Sequence, residues 1–123
     1  MHEYGLAEDI ARHVREEAER APGQQVAELE VEVGGMARLR TEILSEWLQE
    51  ALSDLGARER VRVSRAPVTA VCPKCGSSRS IHVDEDDIPT LNLEYRHCPK
   101  CGADDVQLSG GTDCRIRALT LST

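Results

Sequence analysis

The sequence predicts an α+β fold: a small two-layer domain of two helices and a three-stranded sheet, carrying an inserted zinc-ribbon-like lobe with four cysteines. Three observations predict it. Apolar residues recur at helical spacing over residues 5–21 and 38–55, and at strand spacing over 27–33, 58–66 and 114–121. The pentapeptide Cys-Pro-Lys-Cys-Gly occurs twice, starting at Cys72 and at Cys98. The helices and strands lie at both ends of the chain, with the cysteine segment between them. The expected division is therefore residues 1–68 with 108–123 for the α+β domain and 69–107 for the zinc-binding domain.

The first helix places Leu6, Ile10, Val14 and Ala18 on one face, widened by Ala7, Ala11 and Ala21. Arg12, Arg15, Glu16, Glu17, Glu19 and Arg20 take the other side, Pro22-Gly23 ends the helix, and His13 falls at its flank as a surface residue. In the next segment Ala27, Leu29, Val31 and Val33 alternate with Glu28, Glu30 and Glu32, so a strand with one buried and one acidic face is expected. Gly34-Gly35 breaks it. The second helix has a broad apolar face of Leu39, Ile43, Leu44, Trp47, Leu48, Ala51, Leu52 and Leu55, and Gly56 is its stop. A second strand turns Val61 and Val63 inward and Arg58, Arg60 and Arg62 outward, inviting cross-strand pairs with the three glutamates. The last strand, with Ile116, Leu119 and Leu121 apolar, changes phase between Ala118 and Leu119, which fits either a bulge or a strand boundary placed elsewhere.

Cys72, Cys75, Cys98 and Cys101 form two Cys-x-x-Cys knuckles, each followed by glycine. Two intervening residues let both sulfurs face one ion, and the glycine permits the tight turn that aims amide N–H groups at them. Four thiolates with no open position describe structural zinc. Disulfides and a redox Cys-x-x-Cys fit less well, because charged residues follow Met1 at once and the motif is duplicated around Pro-Lys. Rubredoxin-like iron is chemically feasible, but the chain has no Phe, one Trp and two Tyr to build an aromatic shell. Cys114 stands outside the pattern as a small buried apolar residue. The acidic run Asp84–Asp87 between the knuckles lacks the calcium-loop pattern and is expected as a solvated loop tip.

At 123 residues and 40% apolar content the chain supports an aliphatic core. Five cysteines and the lack of an apolar leader fit a reducing, cytoplasmic setting without a membrane span. A net charge of −7 argues against nucleic acid, which attracts Lys/Arg clusters. An enzyme reading fares poorly: the cysteines close the zinc shell, and no Ser/His/Asp or Cys/His motif is present. A zinc-ribbon adaptor or nucleic-acid-binding module is the alternative, and it requires basic or aromatic faces that the acidic run opposes.

His2 has a geometric consequence that a histidine elsewhere lacks. Its imidazole, the adjoining backbone nitrogens and the terminal amine can form fused chelate rings, and nitrogen-rich square-planar coordination suits Ni(II) and Cu(II). With Met1-His2-Glu3-Tyr4-Gly5-Leu6-Ala7 opening a helix, the chain resembles the HypA/HybF family of nickel metallochaperones for hydrogenase and urease. The strand ending Glu32-Val33-Gly34, the second helix, both knuckles and the closing strand continue the resemblance over essentially the full length. It departs from the family in a longer loop between the knuckles and in Gly35-Met36-Ala37-Arg38-Leu39.

The resemblance implies nickel on Met1, His2 and Glu3, with the domain of residues 1–68 and 108–123 as the nickel-binding one. It also implies zinc on Cys72, Cys75, Cys98 and Cys101. As partners it implies a HypB-type GTPase and the large-subunit precursor of a [NiFe]-hydrogenase, with urease as a further client; a homodimer is compatible with it, and neither nucleic acid nor membrane is involved. The fourth nickel position is open between water, the terminal amine, His82 and His97; His97 ranks first among side chains because it adjoins Cys98, with a plain surface role as the competing reading.

Overall fold

The computed structural model describes residues 3–123. In chain order the elements are α1 (Glu3–Glu19), β1 (Gln25–Val33), α2 (Thr41–Ala51), β2 (Val61–Arg65), β3 (Val68–Val71), β4 (Ser78–Ile81), α3 (Leu91–Tyr95), β5 (Gln107–Ser109) and β6 (Cys114–Ser122). The mixed α+β class is as expected, though with three helices and two small sheets. The chain divides into two units; the second comprises Gly34–Arg38 with Arg65–Asp113, and the first takes the rest. No helix among the described residues is long and apolar enough to cross a membrane.

In the first unit α1 packs on α2 and touches β6. Leu6, Ala7, Ile10, Ala11 and Val14 are its buried face, as the helical spacing predicts. Arg15 ties the helices together: its guanidinium donates to both Asp54 carboxylate oxygens at 2.7 and 2.9 Å and to the Ala51 carbonyl at 2.7 Å. The hydrogen bond from Arg15 holds the Asp54 carboxyl below its ordinary 3.8. The pair therefore contributes stability above about pH 4, and that contribution fades as pH falls through the lower folded value. Both side chains are largely exposed, so the contribution is small.

The second helix is shorter and its buried face narrower than the sequence predicts. Leu44, Leu48 and Leu52 are fully buried at four-residue intervals, while Ile43 and Trp47 are 37% and 42% exposed. One leucine stripe is enough to line an 11-residue helix. Trp47 lies off that stripe and meets Tyr4 of α1 edge-on, with ring centroids 4.8 Å apart and planes at 75°. Gly56 closes the segment in the left-handed conformation, φ 73°, which explains why glycine is the stop.

The first sheet has the order β2-β1-β6, with β1 and β6 antiparallel. The phase change in the last strand is a bulge: Glu30 faces Ala118 and Val31 faces Ile116, leaving Arg117 as the extra residue. A second bulge was not legible. Val26 faces Leu121 and Glu28 faces Thr120, so Ala27 is the extra residue of β1, and Val26 rather than Ala27 is buried. The predicted charge pairing also changes partner. Glu32 meets Arg115 at 3.1 Å and Arg117 at 3.2 Å on β6, and Arg58, which precedes β2, pairs with Glu50 of α2 at 2.9 Å. β1 lies between β2 and β6, and it is the β6 arginines that come within reach of Glu32.

In the second unit β4-β3-β5 form an antiparallel sheet over Val68, Ala70, Ile81, Val83 and Leu91, with Met36, Tyr95, Val106 and Leu108 packed against them. The acidic run is folded rather than a free loop tip. Asp84 and Asp87 form a capping box, with the Asp84 N–H donating to the Asp87 carboxylate at 3.2 Å, at the start of a 3-10 turn over Glu85–Thr90.

Gly34 is required by a close approach. Its N–H donates to the Asp113 carbonyl at 2.7 Å, the Met36 N–H donates to the Gly111 carbonyl at 2.9 Å, and a Cβ on Gly34 would lie 2.2 Å from the Gly111 carbonyl group. Arg65 holds the same segment, donating to the carbonyls of Ala37 at 2.7 Å and Gly34 at 3.1 Å. Gly34→Ala is expected to destabilise by about 1–3 kcal/mol, since backbone must move. Gly5→Ala, where a Cβ meets open space, is expected to be neutral or stabilising. Thermal unfolding of the two variants checks the contrast.

Candidate metal centre

The two knuckles share one backbone plan. In the first, the Cys72 N–H donates to the Ser77 carbonyl at 2.9 Å and the Gly76 N–H to the Cys72 carbonyl at 2.8 Å. In the second, the Cys98 N–H donates to the Ala103 carbonyl at 2.8 Å and the Gly102 N–H to the Cys98 carbonyl at 2.9 Å. Gly76 and Gly102 adopt φ 75° and 79°, a left-handed turn that a side chain would strain. The turns bring the four Sγ atoms within 4.8 Å of one another, with Cys72 to Cys101 at 3.5 Å and Cys75 to Cys98 at 3.7 Å. Tetrahedral zinc with Zn–S bonds of about 2.3 Å separates its sulfurs by roughly 3.8 Å, so the cluster has the right size.

The electrostatics also call for a cation. Cys98 is drawn down to about 6, chiefly by the Cys101 backbone N–H and then by the Ser77 hydroxyl. The Ser77 hydroxyl is also the main cause lowering Cys75. At Cys101 the Ala103 backbone N–H lowers the thiol, but burial and the crowded sulfurs of Cys72, Cys75 and Cys98 outweigh it and push Cys101 up to about 12. Four thiols this close cannot all ionise alone, whereas a divalent ion accepts all four as thiolates. An all-sulfur donor set fits zinc. Cys72, Cys75, Cys98 and Cys101 would hold a zinc ion through four sulfurs, which would tie the two knuckles together and leave no position for an activated water.

Cys114 lies in β6, half-buried and outside the cluster. His82 is exposed. His97 is exposed too, and its Nδ1 lies 2.6 Å from Asp104, whose carboxyl it holds below the ordinary range. Met1 and His2 lie outside the described residues. Glu3 opens α1, and its carboxylate accepts the Arg40 backbone N–H at 3.0 Å, just before α2. Sequence reasoning missed Ser77. Its hydroxyl is 3.1 Å from Cys75 Sγ and 3.6 Å from Cys98 Sγ, and only the first distance was foreshadowed by sequence proximity.

A closed four-cysteine centre in a mixed α+β chain defines a metal-binding protein in which the zinc is structural. The sequence model of one family, described as "Hydrogenase/urease nickel incorporation, metallochaperone, hypA", matches residues 1–121. The chain is 30% identical to the hydrogenase maturation factor HypA of Azoarcus sp. (strain BH72), over 98% of each chain. It is also 30% identical to that of Methanothermobacter thermautotrophicus, over 98% of this chain and 97% of the relative. The solution structure of the Ni metallochaperone HypA from Helicobacter pylori shares the fold, with a TM-score of 0.54 at 17% identity over 97% of this chain and 96% of that one. The chain belongs to the HypA family, the nickel metallochaperones of hydrogenase maturation, which are maturation factors and not catalysts.

Proposed function

We propose that this chain carries Ni(II) on Met1, His2 and Glu3, through the His2 imidazole and the adjoining backbone nitrogens, and passes it to a [NiFe]-hydrogenase large-subunit precursor. A HypB-type GTPase is the working partner, urease a second client, and the cytoplasm the setting; assembly as a homodimer is compatible with this role. Residues 1–68 with 108–123 serve as the nickel-binding domain, and 69–107, with Cys72, Cys75, Cys98 and Cys101, as the zinc-binding one. The observation that carries the reading is the family match over residues 1–121, which takes in the Met1-His2-Glu3 tripeptide. Glu3 supports it further: its bond to the Arg40 N–H anchors the residue after His2 to the chain just before α2.

For the fourth nickel position, open between water, the terminal amine, His82 and His97, His97 ranks first among the side chains. Asp104 orients its ring through Nδ1 and leaves Nε2 for a metal, the usual arrangement of a ligating histidine. The test is transfer of radioactive nickel from the loaded, untagged chain to a purified precursor in the presence of the GTPase and GTP. Nickel should appear in the precursor with the wild-type chain and not with His2→Ala; equal transfer by both would refute the proposal.

A further inference from the structure

The two knuckles are identical in sequence through Cys-Pro-Lys-Cys-Gly and then diverge: Ser77 follows the first and Ala103 the second. Their backbones remain equivalent. Each of these two residues accepts the N–H of its knuckle's first cysteine, Cys72 or Cys98, and directs its own backbone N–H at the second, Cys75 or Cys101. Exposure is equivalent as well, since Cys72 and Cys98 are each 2% exposed while Cys75 and Cys101 both face solvent. What breaks the symmetry is one hydroxyl. Ser77 Oγ lies 3.1 Å from Cys75 Sγ and 3.6 Å from Cys98 Sγ, and the methyl group of Ala103 offers Cys101 no such donor.

We propose that Ser77 makes the zinc centre chemically lopsided: its hydroxyl donates to the Cys75 thiolate and quiets it, leaving Cys101 as the reactive, first-released ligand. A coordinated thiolate keeps a lone pair available to electrophiles, and a hydrogen bond to sulfur withdraws electron density from that pair. The hydroxyl proton serves one acceptor at a time, and Cys75 is the nearer. Cys98 is shielded by burial, as is Cys72. Of the two solvent-facing sulfurs, Cys101 meets no hydroxyl donor among the described residues; its Cys72 Sγ partner at 3.5 Å is itself a zinc ligand and gives up its proton when the ion binds. The inference rests on zinc being held by the four cysteines, and it assigns Ser77 a tuning role that the fold itself does not need, because the backbone bonds of the turn survive without the hydroxyl.

The experiment is limited alkylation of the zinc-loaded full chain with iodoacetamide, followed by mass mapping of Cys75 and Cys101, with zinc content measured first by elemental analysis. In the wild type Cys101 should react roughly five- to tenfold faster than Cys75, the scale of one ordinary net hydrogen bond. Ser77→Ala should bring Cys75 up to the rate of Cys101, Ser77→Thr should restore its protection, and Ala103→Ser should slow Cys101. Equal rates in the wild type, or a ratio unmoved by Ser77→Ala and Ala103→Ser, would overturn the inference while leaving the zinc site standing. A chain that holds no zinc at all would overturn both.

Discussion

Cys98→Ala is expected to abolish zinc binding and disorder residues 72–101 while α1 and α2 stay folded. The sheet of the second unit is packed on a small cluster of buried residues, Val68, Ala70, Ile81, Val83 and Leu91, carried by strands of three or four residues. Such a core does not hold two glycine-hinged knuckles together against chain entropy. Zinc does, because its binding free energy, on the order of 10 kcal/mol for structural sites, is folding free energy. The first unit has its own core, with Val14, Leu29, Val31, Val33, Leu44, Leu48 and Leu52 all fully buried. Far-UV circular dichroism should keep most of its helical signal in Cys98→Ala and in chelator-treated wild type, while a protease cuts within 72–101. Complete loss of helix would show that the two units do not fold independently.

His2→Ala is the other large effect, expected to reduce nickel affinity by orders of magnitude while leaving zinc content and helix content unchanged. In the proposed site the His2 imidazole would close a chelate ring with the backbone amide nitrogen of His2 itself, so removing it would dismantle the ring rather than one contact. His97→Ala should weaken binding less, and His82→Ala least. The sign of the pH dependence follows from proton competition. Below about pH 6.5, the ordinary histidine value, the imidazole is increasingly protonated and cannot ligate, so affinity should fall steadily as pH drops through that range.

Much of this was legible in local sequence because the signals were local. A repeated Cys-Pro-Lys-Cys-Gly needs only two residues' spacing to aim two sulfurs together, and Leu44, Leu48 and Leu52 need only helical period to share a face. The phase slip near Ala118 pointed in the same way to a bulge or a shifted strand boundary. The features that stayed hidden depend on which residues meet across the fold. β3, β4 and β5 are too short to show a period. The bulge at Ala27 is set by the register with β6, and Glu32 finds Arg115 and Arg117 because β6, not β2, carries the nearest arginines. Trp47 reads as core because its apolar character says nothing about Tyr4 waiting on α1. The Ser77/Ala103 difference was visible in the sequence, but its meaning required knowing that both residues occupy the same place in matching turns.

The central claim is that the Met1-His2-Glu3 segment carries nickel. Isothermal titration of Ni(II) into the zinc-loaded chain tests it most directly, with no tag or added residue before Met1. The account predicts about one nickel per chain at neutral pH for the wild type, and no measurable heat of binding for His2→Ala at the same zinc content. Nickel bound by His2→Ala with wild-type affinity would contradict it.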